Sequence, residues 1–169
     1  MSDQQPVIKC DSVYKIFGKN AEKMLQNANG KVDAKEFQDA GCVVGVNNAS
    51  FEVNKGEMLV VMGLSGSGKS TLLRCISRLT DATAGNIYIE GEELTSMSDK
   101  ELIELRRSKV RRVVQSFALL PHKTVLENIA FPLQVKGNST KDSMQRAKDM
   151  VDLVGLTGRE NYFPRQLSG

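Results

Sequence analysis

The segment from Gly63 to Thr71, Gly-Leu-Ser-Gly-Ser-Gly-Lys-Ser-Thr, has the residue types that hold a polyphosphate. Its three glycines let the backbone bend so that successive N–H groups can point at an anion. A helix that begins near Lys69 adds the partial positive charge of its N-terminus. The Lys69 ammonium can reach the β- and γ-phosphates, and the Ser70 hydroxyl can ligate Mg²⁺. The pattern Gly-x4-Gly-Lys-Ser therefore predicts a P-loop for a nucleoside triphosphate. The residues predicted to contact the nucleotide here are Gly63, Leu64, Ser65, Gly66, Ser67, Gly68, Lys69, Ser70 and Thr71.

A P-loop must lie between a buried strand and a helix, and the flanking sequence predicts both. Residues 58–62 are apolar on both faces, which is typical of a central strand covered on two sides. Apolar residues after the loop recur at helical spacing from Leu72 to Leu79. A dinucleotide-binding glycine pattern beginning at Gly66 is set aside, because it needs a third glycine where this chain has Thr71.

The rest of the chain alternates between short strands and helices. A capping box of Ser98 and Glu101 predicts one helix start, and Asp33 with Glu36 predicts another. The remaining predicted elements are strands at 7–17, 43–53, 87–90 and 110–114, a weak helix at 21–28 and an amphipathic helix with Met144, Ala147, Val151 and Val154 on one face.

Composition excludes several classes of protein. The chain has 169 residues, and 40% of them are hydrophobic, so it can bury a core. Its net charge of +3 is too small to indicate a nucleic-acid binder. The longest apolar run, Met58–Leu64, is far shorter than the ~20 residues that span a bilayer. With no secretory signal at the N-terminus, we expect a cytoplasmic chain.

The rare residues narrow the chemistry further. Three widely spaced cysteines, Cys10, Cys42 and Cys75, are predicted to be small buried side chains in a reducing compartment rather than disulfides or zinc ligands. A single histidine, His122, excludes a two-histidine metal site.

Two later segments resemble ATPases of the ABC transporter family. Residues 113–128, beginning Val-Val-Gln115-Ser-Phe, look like the family's Q-loop, and Gln166-Leu-Ser-Gly169 looks like the start of its Leu-Ser-Gly-Gly-Gln signature. The resemblance covers the whole chain. An insertion at 20–42 is similar to that of the quaternary-amine uptake branch, which carries glycine betaine, proline betaine or choline, and the choline members look most similar.

The resemblance implies an α/β fold: the P-loop NTPase core of an ABC ATPase, with an antiparallel β subdomain, a mixed or parallel sheet with helices, and a helical subdomain. Residues 1–169 would form the N-terminal part of this ATP-binding domain. Its parts would be the insertion at 20–42, the P-loop at 63–71, the Q-loop at 113–124 and the helical subdomain at 138–169. The chain ends before the family's Walker B strand, catalytic Glu and switch His, so we expect a fragment that does not hydrolyse ATP alone.

Several site residues follow from the resemblance only. Phe17 would stack on adenine, with Tyr14 as the second candidate. Gln115 would complete the Mg²⁺ shell or position the attacking water, and with Lys69 it would serve catalysis. Residues 116–124 would receive a helix of a membrane permease subunit. The signature residues, which would act on the ATP of a second copy in a head-to-tail dimer, are Leu167, Ser168 and Gly169.

The resulting functional prediction is an ATP-hydrolysing subunit, with ATP and Mg²⁺ as cofactors, that powers import of choline or glycine betaine. It would lie peripherally on the cytoplasmic face of a bacterial membrane and depend indirectly on a substrate-binding protein outside it, with no nucleic-acid partner. Arg111 and Arg112 depart from the small and apolar residues usual before the Q-loop. A soluble P-loop kinase of a small metabolite and a non-transport ABC ATPase remain as alternatives.

Overall fold

The computed structural model describes residues 5–113 and 118–167. These residues belong to two compact units, one that ends at Val110 and one that begins at Arg111. Gln115, Ser168 and Gly169 lie outside the described residues.

The first unit is built on a four-stranded antiparallel sheet with strand order β2-β1-β3-β4. The strands are β1 (Ile8–Phe17), β2 (Val43–Val53), β3 (Ala84–Ile89) and β4 (Glu92–Glu93). Ile8 pairs with Val53 at one end of β1, and Phe17 pairs with Val43 at the other. The antiparallel β subdomain is thus confirmed, as are the predicted strands at 7–17 and 43–53.

Two of the four described α-helices of this unit begin at a capping side chain. They are α1 (Ala21–Asn27), α2 (Ala34–Asp39), α3 (Lys69–Ile76), a 3₁₀ turn (Leu94–Ser96) and α4 (Asp99–Ser108). Asp33 Oδ1 accepts hydrogen bonds from the N–H groups of Lys35 and Glu36 at the start of α2. Ser98 and Glu101 form the predicted capping box of α4. The Ser98 contacts also lower the pKa of the Glu101 carboxyl.

Two core clusters hold the sheet and its helices together. The larger one packs Leu72 and Cys75 of α3 against residues of all three longer strands, including Cys10. The second packs α1 and α2 against β1, with Tyr14, Leu25, Phe37 and Cys42 among its members. All three cysteines are therefore buried core residues, and burial raises the pKa of the Cys10 thiol to about 12.

The predicted central strand at residues 58–62 is wrong. These residues form no strand in the structure, and Met58 and Met62 are 86% and 84% exposed. A strand buried on both faces needs hydrogen-bonded neighbours at its edges, and no described strand pairs with this segment. The predicted strand at 110–114 is likewise absent over residues 110–113.

Two basic residues near the end of the first unit, Arg106 and Lys109, make specific contacts within it. The Arg106 guanidinium donates to the carbonyl oxygens of Ser77 (3.2 Å) and Arg78 (2.5 Å), just beyond the end of α3. Lys109 bridges Glu92 (2.8 Å) and Glu90, and these contacts raise its pKa. A cation at the carboxyl end of α3 stabilises its exposed carbonyls and dipole.

The second unit is a helical pair. It contains α5 (Val125–Val135), α6 (Thr140–Leu153) and a 3₁₀ turn (Pro164–Gln166). Ala130 of α5 packs with Ala147 and Val151 of α6 in a core that Leu167 also contacts. The predicted amphipathic helix is α6, whereas α5 was not predicted. Among the residues described, no helix has the length and apolar character needed to cross a membrane.

Candidate nucleotide-binding site

The segment 63–68 is a curled loop that leads directly into α3, whose first residue is Lys69. The Ser67 N–H donates to the Leu64 carbonyl oxygen at 3.2 Å, which closes the curl. Gly66 and Gly68 have φ values of 82° and 89°, in the left-handed region that glycine adopts without strain. The loop therefore has the bend that the glycine pattern predicts.

A close contact with the sheet also requires a glycine at position 68. A Cβ built on Gly68 would lie 1.9 Å from the carbonyl oxygen of Gly45 in β2. The backbone at the start of α3 thus lies directly against β2, at a separation that only glycine allows. This contact fixes the loop relative to the sheet without any side chain.

The N-terminus of α3 is electrostatically unusual in this chain. No side chain caps it, and no acidic residue lies in its first turn. Every other described α-helix has an acidic residue in its first turn. The partial positive charge at the start of α3 is therefore left uncompensated by the protein, which favours binding of an anion there.

The Lys69 ammonium lies inside the curl of the loop. It donates to the carbonyl oxygens of Gly63 (2.8 Å) and Leu64 (2.6 Å) and to Ser67 Oγ (3.3 Å). These acceptors are neutral, so a phosphate oxygen would be a stronger partner for the same ammonium. The lysine is thus held at the loop by weak contacts that a polyphosphate can replace.

The other predicted loop residues surround this position. Ser65 and Ser70 are exposed, and Ser70 lies in the first turn of α3. A pocket of about 360 Å³ lies beside the loop and is bordered by Lys69, by β2 residues and by Val61 and Met62. A serine hydroxyl and solvent-accessible space next to a lysine provide room for a hydrated Mg²⁺ and phosphates. In the part of the chain that the structure describes, no group of three or more His, Cys, Asp or Glu could hold a metal ion.

Phe17 lies next to this loop, at the end of β1. A Cβ built on Gly45 would lie 3.0 Å from Phe17 Cε2 and 3.1 Å from Thr71 Cγ2, so the Phe17 ring and the first turn of α3 flank the same glycine. The Phe17 side chain is 43% exposed, and Lys15 Nζ lies 5.0 Å from its ring centroid. Tyr14, in contrast, is only 9% exposed and donates its hydroxyl to the Gly30 carbonyl at 3.1 Å. Of the two predicted candidates, Phe17 is therefore the one whose ring is accessible to a ligand, and Tyr14 is a core residue.

In the second unit, Asn128 of α5 holds the described part of the Q-loop segment. Its Oδ1 accepts from the Leu120 N–H (2.8 Å), and its Nδ2 contacts the carbonyl oxygens of Leu120, Lys123 and Thr124 at 2.9–3.1 Å. Thr124 and Glu127 cap α5 immediately beside this side chain. Leu119 is left exposed at the loop. Of the predicted signature residues, the structure describes Leu167, which packs on the core of the helical pair.

Two contributors to these sites were not predicted, Gly45 and Asn128. The capping pattern Thr124-x-x-Glu127 is readable in the sequence and could have revealed the helix that carries Asn128. Gly45 has no local signal, because its importance comes from a contact with a residue far along the chain.

A curled glycine loop that opens a helix with an uncompensated N-terminus, and whose lysine lies within the loop, defines a P-loop protein. The sequence matches the family model described as ABC transporter over residues 46–169. The chain therefore belongs to the ABC transporter family, which confirms the resemblance.

Within this family, the chain is similar to ATP-binding proteins of transport systems for small methylated solutes. It is 76% identical over its full length to the trimethylamine N-oxide transport system ATP-binding protein TmoW of Pelagibacter ubique, covering 49% of that protein. It is 50% identical over 99% of its length to the glycine betaine transport ATP-binding protein OpuAA of Bacillus subtilis, covering 40% of it. The chain thus spans about half the length of the curated relatives it matches.

A solved structure confirms the fold. The dimeric structure of MJ0796, a bacterial ABC transporter cassette, superposes with a TM-score of 0.75 at 31% identity, over 96% of this chain and 63% of that one. The ABC ATPase fold is therefore established for this chain.

Proposed function

We propose that this chain is the nucleotide-binding part of an ATP-hydrolysing subunit that powers an ABC-type importer. The observation that carries the proposal is the loop at 63–68, which the Gly45–Gly68 contact fixes in front of the uncompensated N-terminus of α3. Such an N-terminus, with a neighbouring ammonium, binds phosphate groups. Residues 63–71 would hold the phosphates, and the exposed ring of Phe17 would stack on adenine.

The donor set at the loop also fits Mg²⁺. Ser70 would ligate the ion together with phosphate oxygens and water, and Gln115 would add a further oxygen ligand or position the attacking water. When bound, Mg²⁺ neutralises charge on the phosphates. The contribution of the chain is to hold the phosphates in a fixed position with backbone N–H groups and Lys69.

We infer two protein partners. Leu167, Ser168 and Gly169 would act on the ATP of a second copy in a head-to-tail dimer, and the similar solved structures of MJ0796 are dimeric. The loop at 116–124 would receive a helix of a membrane permease. Support for this is the exposed Leu119 on a loop that Asn128 holds by four hydrogen bonds. The subunit would then lie on the cytoplasmic face of the membrane.

The transported solute is proposed from the names of the relatives. The sequence predicted choline or glycine betaine, and the relatives add trimethylamine N-oxide, which was not predicted. All three are small solutes with a methylated, positively charged nitrogen. We propose that the importer carries a solute of this class, and that trimethylamine N-oxide is the first to test because the 76% identical relative is named for it.

The experiment uses the protein expressed from its complete reading frame and assembled with its membrane and substrate-binding subunits in vesicles. We expect ATP-dependent uptake of a methylated-nitrogen solute and ATP hydrolysis, both lost in Lys69→Met. The matched control is Lys141→Met, an exposed lysine on α6, which should retain both activities. Undiminished ATP binding by Lys69→Met would refute the nucleotide site, whereas hydrolysis without uptake of any of the three solutes would refute the substrate class.

A further inference from the structure

The long connection between β1 and β2 has a structure of its own. β1 ends at Phe17 and β2 begins at Val43, and these two residues pair directly. Residues 18–42 therefore form the loop of a β-hairpin, a position usually filled by 2–5 residues. A flexible loop of this length would leave the end of the hairpin, and with it Phe17, poorly fixed.

The connection is instead packed as a small helical layer. Leu25 of α1 and Phe37 of α2 are buried with Ile16 of β1 in one apolar cluster. The Tyr14 hydroxyl donates to the Gly30 carbonyl at 3.1 Å, which ties the segment between the helices to the strand. The insertion is thus attached to β1 along the residues that lead up to Phe17.

The attachment is tightest immediately after Phe17. A Cβ built on Gly18 would lie 2.7 Å from Cys42 Sγ and 3.0 Å from Cys42 Cα. Cys42 is held in turn, because its N–H donates to the Phe37 carbonyl at 2.8 Å and its Sγ lies 3.9 Å from Met24 Sδ. The backbone on the far side of Phe17 therefore rests on the core of the insertion, while the ring itself remains exposed.

We propose that the insertion at residues 20–42 is a positioning element for the adenine platform, which is the ring of Phe17. It holds the backbone of Phe17 through the Gly18–Cys42 contact, so that the ring stays beside Gly45 and Thr71 at the phosphate loop. The inference rests on the proposed function and adds a role for the insertion. Its packing governs affinity for the base of the nucleotide and leaves affinity for the phosphates unchanged.

The test compares binding of ATP with binding of inorganic tripolyphosphate, each with Mg²⁺, to the protein expressed from its complete reading frame. Tripolyphosphate has the phosphates without the base. Stacking on an aromatic ring changes affinity by about 5- to 150-fold per base, so Phe17→Ala should weaken ATP binding by that factor and leave tripolyphosphate binding unchanged. This variant reports on the platform itself.

The insertion is tested with Gly18→Ala, which forces a methyl group against Cys42. We expect ATP binding to weaken by about threefold or more, with tripolyphosphate binding unchanged, because part of the stacking contribution is lost. The matched control is Gly41→Ala in the same insertion. Its φ of 74° is also positive, but a Cβ there meets nothing within 4 Å, so its ratio of ATP to tripolyphosphate affinity should stay at the wild-type value.

Cys42→Ala provides a second variant should Gly18→Ala not fold, because it removes the thiol that supports Gly18 without adding bulk. It too should weaken ATP binding selectively. If Phe17→Ala lowers the ratio of affinities but Gly18→Ala and Cys42→Ala do not, the role of the insertion is refuted while the nucleotide site stands. If the wild-type protein binds neither ligand, the proposed function fails and the inference fails with it.

Discussion

The contact between Gly68 and β2 can be tested by adding a single methyl group. In Gly68→Ala the new Cβ would lie 1.9 Å from the Gly45 carbonyl oxygen, about 1.5 Å closer than the 3.4 Å at which ordinary contact begins. The loop or the strand must move by about that distance. Gly66→Ala is the matched control, because Gly66 has a similar φ of 82° but open space around its Cβ position.

Gly68→Ala and Gly66→Ala should lose different amounts of stability, because only one of them creates a collision. Both variants force alanine into the left-handed region, at a cost of about 1–2 kcal/mol. Only Gly68→Ala also displaces packed backbone, which adds about 1–3 kcal/mol if the collision costs as much as an overpacked core. We therefore expect Gly68→Ala to be less stable than Gly66→Ala by about 2 kcal/mol.

The assay is urea unfolding followed by circular dichroism, without nucleotide, on the protein expressed from its complete reading frame. At a slope near 2 kcal/mol per molar urea, a difference of about 2 kcal/mol separates the two midpoints by about 1 M. Gly56→Ala, at another open glycine with a φ of 82°, should unfold with Gly66→Ala. Coincident midpoints for Gly68→Ala and Gly66→Ala would refute the claim that the loop is held against β2.

Three further predictions concern the helical pair. Ser143→Ala should raise stability by about 1 kcal/mol, because the buried hydroxyl has no hydrogen-bond partner among the described residues; a lower urea midpoint would contradict this. The hydrogen bond from the Thr124 N–H is the main reason that the pKa of Glu127 lies below 4.5. The stabilisation that the ionised Glu127 gives to the folded protein is therefore present above pH 4.5 and is lost as the pH falls through the lowered pKa. Glu127→Gln keeps an acceptor without a charge and should show a smaller loss of melting temperature in acid; parallel pH profiles for variant and wild type would argue against this cap. Asn128→Ala should speed hydrogen exchange of the Leu120 amide at least about tenfold, since loop hydrogen bonds worth about 1 kcal/mol each are lost. Unchanged exchange would mean that other contacts order the loop.

The features that the sequence predicted well depend on neighbouring residues. The P-loop, the Asp33 cap and the Ser98–Glu101 capping box each involve residues a few positions apart, so pattern and structure coincide. The antiparallel subdomain followed from the family resemblance and not from a local pattern, because strand pairing depends on distant residues; the adenine-stacking role of Phe17 also comes from that resemblance and stays a prediction.

The predictions that were wrong or missing concern elements whose structure depends on residues far along the chain. The apolar run at 58–62 reads as a buried strand, yet burial requires neighbours that no described residue supplies. Helix α5 was missed because it is apolar around most of its surface and contains Pro132, so the helical period is weak. In both cases, the local pattern was ambiguous and only the tertiary surroundings decide the structure.

Gly45 is the residue at which the phosphate loop and the adenine platform meet. Its carbonyl oxygen contacts Gly68, and a Cβ built on it would lie 3.0 Å from the Phe17 ring and 3.1 Å from the Thr71 methyl group. Its neighbours in β2 are Val44 and Val46, so a slip of one residue in the pairing of β1 and β2 would bring a branched side chain to this position. Phe17 pairs with Val43 close to this position, and the insertion joins these two residues. The phosphate loop, held by Gly68, and the aromatic ring, held by the insertion, therefore meet at a position of β2 that has no side chain.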